Sequence, residues 1–220
     1  MDRRSRLWIV PVMVGLLALT ACGGDGSAAG RKLSGAVREP APVVSATTLD
    51  DALNDNAPAS LIPEPGDILL VYFGYTYCPD ICPTTLATLS RALDDVSDDE
   101  LDRVEVAMVS VDPERDTPEV LADQVDHFLD GVPNRLALRT DDPARLEEVT
   151  DSLGVVATKE PYGDGPDEYE MAHSAQVFAI NSDGEVVVEW TFGTESGPIA
   201  RDIETLLADE AAADESARSN

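Results

Sequence analysis

Six consecutive apolar residues, Ile68 to Phe73 (ILLVYF), run into the loop GYTYCPDICP and then into residues 84–93, where Leu86, Leu89 and Leu93 recur at helical spacing. An unbroken apolar run of that length predicts a strand buried on both faces of a sheet. Leucines three and four apart predict a helix that packs one face onto it. A buried strand that hands over directly to a helix commits the chain to an α/β architecture, in which helices cover the sheet.

The rest of the domain extends the same pattern. Residues 104–111 (VEVAMVSV) read as a second buried strand. The turn DPERDTPE leads into a helix with Thr117 as N-cap and Pro118 in the first helical position. Val120, Leu121, Val125, Phe128 and Leu129 are its expected apolar face, and Gly131 its end. A short strand, 136–138, is followed by a helix from Asp142-Pro143 to Leu153, closed by Gly154. Residues 159–171, rich in Gly, Pro and acid, read as a loop. Residues 174–180 and 185–192 flank the turn Asn181-Ser182-Asp183-Gly184 and predict a β-hairpin. A last helix is expected over 198–207. The order predicts a mostly parallel central sheet with an antiparallel terminal hairpin and helices on both faces; the terminal β-β-α after β-α-β fits a thioredoxin-like fold.

The ends of the chain read differently. Residues 2–6 (DRRSR) are basic, and Leu7–Ala21 is apolar but shorter than the roughly 20 residues a membrane-spanning helix needs. A basic start, a short apolar core and small residues at its end describe a secretory signal. Leu19-Thr20-Ala21-Cys22 resembles a bacterial lipobox, which implies a lipoprotein signal peptide over 1–21 and lipidation of Cys22. Residues 22–45, rich in Gly, Ala, Ser and Pro, read as a flexible tether, residues 46–209 as the domain, and residues 210–220 as a disordered tail. The protein is therefore expected to be exported and anchored as a lipoprotein at the outer face of the cytoplasmic membrane.

Charge excludes one class of partner. With 15 Lys+Arg against 43 Asp+Glu the net charge is -28, and binding phosphate backbones takes the opposite sign, so nucleic acid is not a partner. The acidity itself serves solubility.

With Cys22 lipidated, two thiols remain, Cys78 and Cys82. They sit where a strand passes into a helix, four residues apart, so one helical turn would put both on one face. Free N–H groups at a helix start favour thiolate. Pro79 and Pro83 stiffen the loop. A purely structural disulfide is disfavoured, because so small a loop gains only about 2 kcal/mol against about 3 for a 15-residue loop. Two roles stay open at this point: redox exchange, or binding of a soft metal such as Cu(I). Among other polar residues, His127 is expected on the surface. Asp112, Glu114 and Asp116 are expected in a solvated turn with an Asp–Arg115 contact. Asp80 is not expected to be a ligand. Trp190 and Phe192 are expected in the core.

The stretch Phe73–Thr84 (FGYTYCPDICPT) resembles the signature of the Sco/SenC family, copper chaperones of cytochrome c oxidase assembly. Val109–Glu119 (VSVDPERDTPE) is similar to that family's second motif, and Tyr169–Ser174 (YEMAHS) takes the place of its histidine motif. The resemblance covers roughly residues 66–207. It implies a thioredoxin-like fold, one copper ion as Cu(I) or Cu(II), and Cys78, Cys82 and His173 as its ligands. It further implies that Cys78 and Cys82 form a reversible, redox-active disulfide. The family carries aspartate before the histidine where this chain has Ala172, which predicts a missing carboxylate beside the imidazole. Residues 42–67 lack the family's glycine-turn hairpin.

The implied function is delivery of copper to the copper-bearing subunit of cytochrome c oxidase, with no catalytic residues of its own. The competing function is a thiol–disulfide oxidoreductase that reduces the oxidase's copper-ligand cysteines and draws electrons from a thiol reductant protein. Three residues rather than two between the cysteines, and a histidine with no job in thiol exchange, lean toward copper.

Overall fold

The two apolar runs lie side by side in the computed structural model, which describes residues 32–165 and 168–219. In chain order the elements are β1 (Leu49–Asp51), β2 (Ala57–Ala59), β3 (Ile68–Gly74), α1 (Ile81–Asp94), α2 (Asp98–Leu101), β4 (Val104–Ser110), α3 (Pro118–Leu129) and β5 (Asn134–Arg139). There follow α4 (Pro143–Leu153), β6 (Ala157–Pro161), β7 (Tyr169–His173), β8 (Val177–Ile180), β9 (Val186–Trp190) and α5 (Ser196–Arg218). A seven-stranded sheet has the order β2-β1-β5-β4-β3-β8-β9. Its three central strands, β3, β4 and β5, are parallel, and antiparallel pairs extend it on both sides. This is the expected thioredoxin-like fold. Among the described residues no helix is long and apolar enough to cross a membrane.

Burial explains the centre of the sheet. Every residue of β3 is buried, and so is every residue of β4 except Glu105. Leu86, Leu89 and Leu93 bury the inner face of α1, which packs against both α3 and α5. The helix caps behave as the sequence predicts. Thr117 accepts the Val120 N–H and Asp142 the Ala144 N–H, while Gly154 ends α4 at φ 70°. Val120, expected in the apolar face of α3, is exposed instead. It sits in the first helical turn, one residue before the buried Leu121.

Several elements differ from expectation. Strands enter both ends of the expected loop, 159–171: β6 and β7 pair antiparallel, Ala157 opposite His173, as a separate two-stranded sheet, and only the segment between Pro161 and Tyr169 connects them. A hairpin, β1–β2, does form between residues 42 and 67. Its turn passes through Asp55 and Asn56 at φ 50° and 57°, the left-handed region that Asn and Asp enter more readily than other side chains. The described part of the expected tether, 32–45, is docked. Ala36 bridges Glu189, Val43 bridges Glu185, and the buried Asp202 carboxylate accepts from Ser34 N and Oγ and Gly35 N. The expected disordered tail continues α5 to Arg218. Its Ala and Glu residues are strong helix formers, and Glu210 ties the helix back to Ser182. Phe192, expected in the core, is exposed just beyond β9, whereas Trp190 is buried and donates Nε1–H to Asp202. The expected signal peptide and Cys22 lie outside the described residues.

Candidate metal centre

The loop between β3 and α1 brings the first two side chains together, by a route other than the expected one. Cys78 precedes the helix rather than sharing a turn with Cys82. Its sulfur folds back over the helix start and accepts the Cys82 N–H at 3.3 Å. It thereby takes the capping place that the Asp80 side chain leaves unused. Cys82 is fully buried and Cys78 half-buried, and both are free thiols.

Hydrogen bonds separate the two sulfurs. A bond from the Cys82 side chain pulls the Cys78 thiol well below its ordinary range, against the effect of burial; bonds from the Cys82 and Asp80 N–H groups add to this. The same Cys78 contact, with burial, pushes the Cys82 thiol up. The two shifts run in opposite directions, so ionisation favours Cys78 over Cys82.

His173 arrives at the end of β7. Its Nε2 lies 3.5 Å from Cys82 Sγ, and its Nδ1 is 2.9 Å from the Ser174 carbonyl oxygen. That oxygen can only accept, so the hydrogen-bond network assigns the proton to Nδ1 and leaves the Nε2 lone pair facing the sulfurs. The ligand atoms of Cys78, Cys82 and His173 all lie within 4.8 Å of one another. The ring is wedged edge-on between two tyrosines, with centroids 6.1 Å from Tyr72 and 5.7 Å from Tyr75.

Ala172 lies on the outer face of its strand. Side chains alternate along β7: Tyr169 and Met171 are buried, Ala172 is exposed, and His173 turns inward. A carboxylate at 172 would therefore leave from the outer face of the strand. The carbonyl of Ser174 already orients the imidazole.

The surroundings fit a soft metal. A Cβ on Gly74 would lie 3.1 Å from Cys82 Sγ and 2.7 Å from the Tyr72 ring, so glycine is what leaves the sulfur its room. The Tyr72 hydroxyl is buried and makes no well-formed hydrogen bond among the described residues. Burial and the adjacent Cys82 raise its pKa, which keeps it a neutral donor next to sulfur. Two thiols and an imidazole with a free lone pair, in an apolar pocket with one spare donor, match a soft ion and not a hard one.

Asp112, Glu114 and Asp116 do not form a solvated turn or a metal cluster. Asp116 is fully buried, and burial raises its pKa. It accepts from Thr76 N at 3.1 Å, Thr76 Oγ1 at 2.6 Å and Ser110 Oγ at 2.6 Å, pinning the cysteine loop to β4. Asp112 is buried and does pair with Arg115, while Glu114 is exposed and bound to Lys159. His127 is on the surface as expected, and Asp80 is exposed. Sequence reasoning missed Tyr72, Gly74, Tyr75 and the role of Asp116. Only Gly74, which ends the apolar run, left a local signal.

Comparison with known proteins agrees with this geometry. The SCO1/SenC family model matches residues 63–208. An SCO2-like protein of Rickettsia typhi is 30% identical over 122 residues, 56% of this chain and 58% of that protein. The human mitochondrial SCO1 homolog is 32% identical over 143 residues, 64% of this chain and 46% of that protein. The chain thus spans about half the length of these curated relatives. Among solved structures, ScoI of Bradyrhizobium japonicum with copper bound is 31% identical, with a TM-score of 0.63, over 74% of this chain and 98% of that one.

Proposed function

The chain belongs to the SCO1/SenC family, and on that premise we propose that it binds one copper ion through Cys78, Cys82 and His173 and delivers it to the copper-bearing subunit of cytochrome c oxidase. The observation that carries the copper reading is the convergence of two sulfurs and one unprotonated imidazole nitrogen within 4.8 Å. The copper-bound relative supports it. Thiolate sulfur favours Cu(I), and imidazole extends the site's tolerance to Cu(II). The chain's own part is to present Cys78 as a ready thiolate, to hold His173 in the binding tautomer, and to keep water from the buried Cys82. Copper is cargo here, and the half-exposed Cys78 is the side from which a recipient's ligands can approach.

The downward shift at Cys78 and the upward shift at the buried Cys82 behind it favour one further reading, reduction of a client disulfide. Cys78 thiolate would attack the client disulfide and release one client thiol. Cys82, losing its proton, would then displace the second, leaving a Cys78–Cys82 disulfide and two client thiols. A thiol reductant protein must then return the two electrons. Copper and disulfide are mutually exclusive, because oxidation consumes the thiolates.

Titration of the reduced protein with copper, followed by transfer to a peptide bearing the recipient's copper ligands, tests delivery. Tight one-to-one binding followed by transfer is expected. Electron transfer to an oxidised cysteine peptide without copper transfer would favour the reductase. We further propose that Cys22 carries lipid and holds the domain at the outer face of the cytoplasmic membrane. Incorporation of labelled fatty acid, abolished by Cys22→Ser, is the expected result.

A further inference from the structure

The hairpin β6–β7 supplies one of the three side chains of the metal centre, yet it shares no ladder with the seven-stranded sheet. Some other contact must fix its distance from the cysteines. We propose that Arg115 is a positioning residue that, with Asp112, braces the histidine hairpin against the cysteine loop and so sets how readily His173 joins the two sulfurs. The proposal rests on reading Cys78, Cys82 and His173 as a copper site.

Arg115 touches both halves of the centre. Its side chain is 9% exposed, and Nε donates to Asp112 Oδ2 at 2.5 Å. Nη1 donates to the Tyr169 carbonyl at 2.9 Å. The guanidinium lies 3.7 Å from the centroid of the Tyr169 ring, 5.0 Å from Tyr77 and 5.7 Å from Tyr75. Tyr75 and Tyr77 belong to the cysteine loop. Tyr169 opens the strand that His173 closes, and residues 169, 171 and 173 share one face of it. Asp112 completes the brace, because its Oδ1 accepts the Tyr169 hydroxyl at 2.7 Å. Asp116, the residue after Arg115, holds Thr76. Residues 112–116 therefore grip the hairpin with one end and the loop with the other.

The chemistry selects arginine. Only a flat, delocalised fork can donate in its own plane to Asp112 and Tyr169 while presenting its face to tyrosine rings. Lysine keeps the charge but loses the fork. Two thiolates alone suit Cu(I), whereas Cu(II) gains more from the imidazole. Loosening the brace should thus act on Cu(II) before Cu(I).

The test is Arg115→Lys in the reduced protein, read in three ways. Cu(II) affinity should fall about tenfold or more, the range seen when groups supporting a ligand are removed, and the thiolate-to-Cu(II) absorption should shift, while Cu(I) affinity changes little. Without metal, amide exchange at Glu170 and Ala172, whose N–H groups face β6, should quicken while that of β3 does not. In a His173→Ala background, Arg115→Lys should have no further effect on Cu(II). Unchanged hairpin exchange, or an equal Cu(II) loss in the His173→Ala background, overturns the proposal. Should Arg115→Lys fail to fold, Tyr169→Phe removes only the hydroxyl held by Asp112, and it must show the same pattern at smaller size. The metal-free exchange measurement keeps the two readings apart. If wild type binds no copper but the hairpin loosens in the variant, the copper reading fails and the brace stands.

Discussion

Two sulfurs four residues apart end up unequal because only one of them faces the free amides of a helix start. Cys78 accepts a backbone N–H and is half-exposed; Cys82 is fully buried beneath it. Desolvation and the shared hydrogen bond then split their proton affinities in opposite directions. A thiol whose pKa is lowered stays ionised as pH falls, so the reduced protein should be alkylated at Cys78 first and should keep reacting at pH 6, well below the usual range for thiols. Mass mapping after a brief iodoacetamide pulse checks this; equal labelling of both cysteines would contradict it. At the same scale, His173 is set by its own neighbour. The Ser174 carbonyl fixes the tautomer, while Ala172, where the family resemblance led one to expect a carboxylate, points away on the outer face of β7.

Three elements of the chain meet at the centre, and the element that ligates nothing holds the others together. The turn from β4 to α3 supplies Asp116, whose carboxylate answers three donors of the cysteine loop and β4. Asp116→Ala strands those donors in a buried place, and unfolding stability should fall by about 1–3 kcal/mol. Denaturant titration checks the loss, and faster alkylation of Cys82 would show that the loop itself has loosened. The strand-and-helix frame was legible because its signals are local: apolar runs for β3 and β4, leucine spacing for α1, and Thr117, Asp142 and Gly154 as caps. The hairpin β6–β7 was not. All of β6 is exposed, so it has no apolar alternation to read, and its turn resembles any acidic loop. The β1–β2 hairpin was missed because Asp55 and Asn56 do the work of a glycine. Of the site, the cysteines spoke through their spacing. His173 spoke only through a family resemblance. The Asp–Arg115 contact was expected and forms, but the reach of Arg115 to Tyr169, of Asp116 to Thr76 and of Tyr72 to His173 was not legible, because no local pattern pairs residues 40 or more positions apart.

At the scale of the whole molecule, the segments that flank the sheet among the described residues, 32–45 and the end of α5, are part of the fold. The segment entering the domain is latched by Asp202, which gathers Ser34 N and Oγ, Gly35 N and the buried Trp190 Nε1. Trp190 pairs with Val177, and Val177 with Tyr72, so the latch lies at the sheet end that carries the cysteines. If Cys22 carries lipid, as proposed, the chain enters the domain through Ser34, on the metal-centre side. Asp202→Ala should cost about 1–3 kcal/mol and expose residues 32–45 to protease, while the order of cysteine alkylation stays the same. Limited proteolysis with peptide mapping separates those outcomes.

The central claim is that Cys78, Cys82 and His173 act as one soft-metal site. It is tested most directly by titrating the reduced protein with copper, beside His173→Ala, and reading stoichiometry and the thiolate-to-Cu(II) spectrum. One copper per chain is expected in the wild type, and in the variant a weakened Cu(II) site with an altered spectrum. Failure of the reduced protein to bind copper, or indistinguishable Cu(II) binding by His173→Ala, would contradict it.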